Sequence, residues 1–281
     1  MAFSLDASDR VALDTCTLDH DALVDAFTAD RYRLGPTAAA LLAGCDGRVR
    51  AGDLAAEHAL AYGVDPAVLL HDLGTFVGEL ADVGLVRIRR PWRHHVVGGV
   101  LELVLPSPAD ALVVRRRFPA TAAGCVRGVL HSARTLAVLT MVWTVALVGA
   151  IATFAPGASL ATGLVPAATG AAGVLAVVAH EVGHLVAVRA VAGQAKYVAA
   201  GPSQVGVIHD VHDPGRRRRV AVAGPVGGAV VAVVAAAALL SPLPHPADAL
   251  AVPTAVLLAG FQLLGLLPFT RDGRHLWAVA R

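Results

Sequence analysis

The sequence predicts an all-α polytopic membrane core of about four transmembrane helices, with an N-terminal α+β domain of winged-helix type ahead of it. Three observations carry this reading. Residues 135–179 form a run of 45 residues without Asp, Glu, Lys, Arg or His, whereas a membrane-spanning helix needs about 20. Charge is segregated, because 30 of the 44 charged residues lie in the first 134 positions. The whole chain is 56% hydrophobic and 16% charged, against about 25% charged in an average soluble domain, and the deficit falls in the second half. An Ala- and Gly-rich composition raises hydropathy by itself, but the length of the charge-free window favours a membrane.

The N-terminal domain is read over residues 1–90. Val11–Leu18 alternates in the manner of a strand, and Ala26–Leu34 gives a second one leading into Gly35-Pro36. Thr37–Ala43 follows as a short apolar helix closed by Gly44, Cys45, Asp46 and Gly47. Ala51–Tyr62 is a second helix, with Leu54 and Leu60 among its apolar positions. The third helix has the clearest boundaries. Asp65 is its N-cap and Pro66 its first residue, Val68, Leu69, Leu73, Phe76, Val77 and Leu80 recur at helical spacing, and Gly84 ends it. Leu85-Val86-Arg87-Ile88 then alternates as a returning strand. Met1–Arg10 is polar and shows no signal-peptide pattern, which places this domain in the cytosol. Cys16, Cys45 and Cys125 are scattered, so neither a disulfide framework nor a thiolate zinc site is expected. The net charge of +2 points neither toward nor away from nucleic acid.

Residues 91–134 read as a linker and basic juxtamembrane segment, with Arg115, Arg116, Arg117 and Arg127 suited to anionic lipid. The core occupies 135–281, with spans expected at about 135–155, 165–191, 220–240 and 249–269. Pro156-Gly157 ends the first, and Pro253 is tolerated near the start of the last. Arg127 and Arg134, then Arg189, Lys196 and Arg216–Arg219, then Arg271, Arg274 and Arg281 all fall on one side of these spans, while 156–164 and 241–248 contain no Lys or Arg. The positive-inside rule therefore predicts a multi-pass protein of the cell (inner) membrane with both termini cytoplasmic.

The second span contains His180-Glu181-Val182-Gly183-His184. Two histidines four apart project from one helix face, with a glutamate beside them for a metal-bound water. Chance alone produces three fixed residues in some chains of this length, but a charge at the centre of a span costs about 2.5 kcal/mol or more, so ionisable residues there are functional candidates. The competing reading is a pair of neutral histidines hydrogen-bonded between helices. A hydrolytic zinc site normally uses three protein ligands and leaves one position for water. Asp272, at the cytosolic end of the fourth span, is the candidate third ligand. The rival group, His209-Asp210-Val211-His212-Asp213, suits a solvated turn ahead of Pro214-Gly215 better than a metal.

His180-Glu181-Val182-Gly183-His184 in one span and Pro268 through Asp272-Gly273 after a later one resemble the site-2 protease class of intramembrane zinc metalloproteases, over about residues 135–281. The resemblance implies that His180, His184 and Asp272 ligate Zn2+ and that Glu181 is the general base. Ala223-Gly224-Pro225 is similar to the family's Gly-Pro element. The sequence departs from the pattern where Gly228 and Gly265 replace asparagines, and where the spacing from Pro268 to Asp272 is one residue short; Gln262 is a candidate substitute for a missing amide. The segment 194–208 offers either a strand edge that holds an unwound substrate or an ordinary cytosolic loop.

Tyr32-Arg33-Leu34-Gly35-Pro36-Thr37, Leu41-Leu42, Cys45-Asp46-Gly47, Tyr62-Gly63-Val64-Asp65 and Val83-Gly84-Leu85-Val86 resemble PqqD-like domains, which recognise leader peptides of ribosomally made, modified peptides. That likeness implies a leader peptide added as a strand to a sheet edge beside the third helix. A DNA-binding winged helix is disfavoured, because that helix carries Asp72, Glu79 and Asp82 but no Lys or Arg, so no nucleic-acid partner is expected. The joined halves are similar to intramembrane metalloproteases of modified-peptide pathways such as daptide biosynthesis. The expected function is removal of a precursor's leader by a zinc metalloendopeptidase, with the bilayer, peptide-modifying enzymes and an exporter as further partners. The alternatives are a regulatory protease that releases a membrane-bound signalling protein, and a non-catalytic anchor that presents the peptide-binding domain.

Overall fold

The computed structural model describes residues 5–89, 116–154, 160–201, 205–244, 247–268 and 270–277. They fall into an N-terminal unit, 5–89 with 116–117 and 199–201, and a helical unit formed by the rest.

The N-terminal unit holds six strands, β1 (Arg10–Leu13), β2 (Cys16–Asp19), β3 (Ala22–Asp25), β4 (Arg31–Arg33), β5 (Asp46–Arg50) and β6 (Val86–Arg89). Its helices are α1 (Pro36–Ala43), α2 (Ala51–Tyr62) and α3 (Pro66–Asp82). The strand expected over Val11–Leu18 is instead two strands in different sheets. The break is at Thr15, whose φ of 61° lies in the left-handed region, where a β-branched residue ends regular pairing. The strand expected over Ala26–Leu34 is also corrected. The Asp25 carboxylate accepts hydrogen bonds from the backbone N–H groups of Phe27 and Thr28, so 26–30 is a turn between β3 and β4. β5 replaces the simple loop expected after α1. One sheet has the order β2-β3-β4 and the other β5-β1-β6, with β1 antiparallel to both neighbours.

The helices match their sequence signals closely. Asp65 Oδ1 accepts from Ala67 N at 2.7 Å, capping α3 as expected. Leu69, Leu73 and Val77 of α3 pack with Leu23, Leu42, Leu54 and Leu85 into the core, whereas Val68 of the expected apolar set is exposed. Burial pushes the thiols of Cys16 and Cys45 up to about 11, so neither is a reactive thiolate at neutral pH. A second buried element is ionic. Arg117 donates to the Asp25 carboxylate and, through Nε, to Val83 O at 2.6 Å. Both side chains are within 3% of full burial, and hydrogen bonds to Phe27 and Arg117 overcome the desolvation that would raise the Asp25 pKa and hold it below the usual carboxylate range.

The helical unit consists of α4 (Ala122–Phe154), α5 (Val165–Ala190), α6 (Pro214–Leu240), α7 (Ala251–Leu264) and α8 (Arg271–Trp277). The remaining strands, β7 (Arg116–Pro119), β8 (Ala195–Ala200) and β9 (Val205–His209), pair in that order into a third sheet. Among the described residues two helices are long and apolar enough to cross a membrane, Thr162–Ala190 and Pro214–Leu240. The other two expected spans coincide with shorter apolar stretches, Thr140–Phe154 and Asp248–Leu264. In α4 the helix starts at Ala122, within the stretch read as linker, and Arg127 and Arg134 occupy its first half, which shortens the apolar part. In α7 the helix stops at Leu264 ahead of Gly265. Residues 156–157, expected to end the first span, lie outside the described residues. α5 and α6 cross at backbone distance. A Cβ on Gly183 would stand 2.5 Å from Ala223 O, so only glycine allows this approach.

Candidate metal centre

The site is assembled at the crossing of α5 and α6. One helical turn separates His180 from His184, and their Nε2 atoms lie 3.1 Å apart. Asp272, in the first turn of α8, brings Oδ2 to 3.1 Å from His180 Nε2 and 3.3 Å from His184 Nε2. Among the described residues these three form the group able to hold a metal ion, with all ligand atoms within 4.8 Å of one another. Glu181 is buried on the same turn of α5 and is not one of the three converging groups.

Each ligand is held from behind. His184 Nδ1 donates to Val220 O at 2.7 Å, and His180 Nδ1 donates to Gln262 Oε1 at 2.8 Å. A carbonyl oxygen only accepts, so each Nδ1 carries its hydrogen and each Nε2 turns a lone pair toward the other and toward the carboxylate. Three acceptors converging on one point repel one another until a positive charge sits among them. That donor set, two imidazoles and a carboxylate, fits zinc and leaves room for a further ligand.

Asp272 is fixed by the turn before it. Thr270 Oγ1 donates to Leu267 O at 2.7 Å and accepts from Gly273 N at 3.1 Å, and Trp277 Nε1 donates to Leu266 O at 2.8 Å. Gly273 is required here, since a Cβ would lie 1.7 Å from Leu267 O. Gly224 of the Ala223-Gly224-Pro225 element lies against the site. A Cβ there would come within 2.3 Å of His184 Nε2.

The rival ligand group is occupied otherwise. Asp210 Oδ1 accepts from Gln194 N, Asp213 Oδ1 caps α6 through Arg216 N, and His209 Nδ1 accepts from Val211 N at 3.2 Å. The segment 194–208 contains β8 and β9 rather than an irregular loop, with β9 at an edge of its sheet. Gln262, the candidate amide for holding substrate, is 6% exposed and is engaged by His180 instead. Sequence reasoning did not reach Val220 O or Thr270 as supports, because backbone acceptors carry no residue-type signal and an isolated threonine after a helix has many roles.

A family model described as Coenzyme PQQ synthesis protein D (PqqD) matches residues 14–86, so that stretch is a PqqD domain; the match does not extend into the helical unit. No curated protein and no solved structure matches the chain.

Proposed function

We propose that the chain is an intramembrane zinc metalloendopeptidase that removes the leader of a ribosomally synthesised, post-translationally modified peptide, with its PqqD domain selecting the precursor. The observation that carries this is the convergence of His180, His184 and Asp272 with both Nδ1 atoms committed elsewhere. Such an arrangement of acceptors in an apolar helix pair is costly without a cation and useful with one.

His180, His184 and Asp272 would hold zinc, which supplies Lewis acidity at the scissile carbonyl and a water of lowered pKa. The Glu181 carboxylate accepts a proton from the attacking water as its oxygen bonds the carbonyl carbon. Glu181 then delivers that proton to the departing nitrogen as the C–N bond breaks, leaving a carboxylate and an amine. Glu181 is nearly fully buried beside the two histidines of its own helical turn. A helical substrate hides its carbonyls in its own hydrogen bonds, and the edge of β9 offers backbone partners to hold it extended.

The PqqD domain supports a precursor-peptide partner. Edge strand β4, exposed at all three residues, offers the ladder to which a leader adds as a strand. Exposed Asp72 and Glu79 on α3 speak against a nucleic acid on this face. In this reading α4 and α7 join α5 and α6 as spans of a multi-pass inner-membrane protein with cytoplasmic termini, and the arginines in the first turns of α6 follow the positive-inside rule.

The test is precursor cleavage in membranes by the wild type, Glu181→Gln and Asp272→Ala. Cleavage by the wild type alone is expected. Cleavage that persists in both variants overturns the catalytic reading and leaves a membrane anchor that presents the PqqD domain. Cleavage of an anti-sigma-type membrane protein in preference to the precursor replaces the substrate class with a signalling one.

A further inference from the structure

Gln262 lies on α7, three residues before its Gly265 cap, and is nearly fully buried. A carboxamide in an apolar helix bundle costs free energy unless its polar atoms are bonded, and its Oε1 meets His180 Nδ1 at 2.8 Å. The space it occupies is opened by a facing residue on α6. A Cβ on Gly228 would stand 2.6 Å from Gln262 Oε1 and 2.9 Å from its Cδ. Any side chain at 228 therefore displaces the amide. The same short segment reaches His180 from both ends, because Gln262 takes Nδ1 while Asp272 lies 3.1 Å from Nε2.

We infer that Gln262 is a positioning residue of the metal centre, and that Gly228 is the notch that admits it. The inference rests on the reading of His180, His184 and Asp272 as metal ligands. By accepting from Nδ1–H, Gln262 fixes the tautomer that leaves the Nε2 lone pair for metal and sets the angle of the ring. A neutral amide does this without drawing the Nδ1 proton away, as an anionic partner would. Asparagine-sized side chains at 228 are excluded by the same geometry, so Gly228 and Gln262 form one arrangement.

The experiment uses the full chain in detergent micelles, stripped of metal and titrated with Zn2+ against a chromophoric chelator. Gln262→Leu is expected to weaken zinc binding by about 10- to 100-fold. Gln262→Glu, which still accepts from Nδ1–H, retains wild-type affinity or exceeds it. Gly228→Ala falls with Gln262→Leu, and combining the two costs no more than either alone. Thermal melts of the metal-free proteins separate this from loss of fold, and Gly228→Ala gives the reading if Gln262→Leu does not fold. Equal zinc affinity in wild type and the folded variants overturns the inference while sparing the proposed function, as does Gln262→Glu behaving like Gln262→Leu. A wild type that takes up no zinc overturns the metal reading and this inference with it.

Discussion

Both units bury charged side chains, and they balance them differently. In the N-terminal unit Asp25 faces Arg117, an anion against a cation, with further backbone donors to the carboxylate. The pair is complete, and its role is structural. In the helical unit His180, His184 and Asp272 turn only acceptors toward one another. In the function proposed above, that cluster is completed by a cation. Charge balance, more than burial or residue type, separates a polar cluster that holds a fold together from one that binds something.

The largest effects should come from changing that balance at the helical site. Asp272→Ala removes one of three ligands, and Gly224→Ala crowds His184; both are expected to lose zinc from the purified protein and cleavage with it, measured by metal analysis and precursor turnover. Glu181→Gln should keep its zinc while kcat falls by about 10²- to 10⁴-fold. Retained zinc in Asp272→Ala would break the contrast, because the cluster would then not depend on its acceptors.

Next comes the ionic pair. Arg117→Met strands a buried carboxylate and should destabilise the N-terminal unit by about 3–5 kcal/mol, whereas replacing Asp25 and Arg117 together by apolar residues should recover most of that. Hydrogen exchange over residues 14–86 reads it. The pH dependence follows from the direction of the shift. The folded pKa of Asp25 is depressed, so its contribution is present above the unfolded value of about 4 and is lost as pH falls through the lower folded value. Arg117→Met should diminish that acid-dependent part, since the Phe27 N–H bond to the carboxylate remains, and a variant with the same acid profile as wild type would show the pair to be idle.

The smallest expected effect lies at the end of α5. Ala192 has a φ of 54°, in the left-handed region that costs a non-glycine residue about 1–2 kcal/mol. Ala192→Gly should raise the melting temperature slightly and leave zinc content unchanged. A change in zinc content there would mean that the metal site responds to strain about two turns beyond its ligands.

Much of this was legible in the sequence. The bounds of α3 followed from its Asp65 cap and Pro66, those of α2 from its apolar positions and those of α5 from the absence of charge, which are local signals. The strands near Thr15 and the turn after Asp25 were not legible, since a left-handed threonine and a carboxylate that caps a turn leave no period in the pattern. The three candidate ligands stood out because ionisable residues are rare in an apolar helix, and the structure brings all three together. The support given by Val220 O, Thr270 and Gln262 depends on how α6, α7 and α8 pass α5, a relation that no single segment encodes.

Arg117 lies 31 residues beyond the last position of the PqqD match at residue 86, yet its guanidinium completes that domain's core. Chains are made at about 5–20 residues per second, so the ribosome needs about 2–6 s to get from one to the other. The PqqD domain therefore cannot mature as soon as its own sequence is finished. Its last buried charge is neutralised only as α4, which begins at Ala122, is being made, and a cut made after residue 90 would leave Asp25 permanently without its partner.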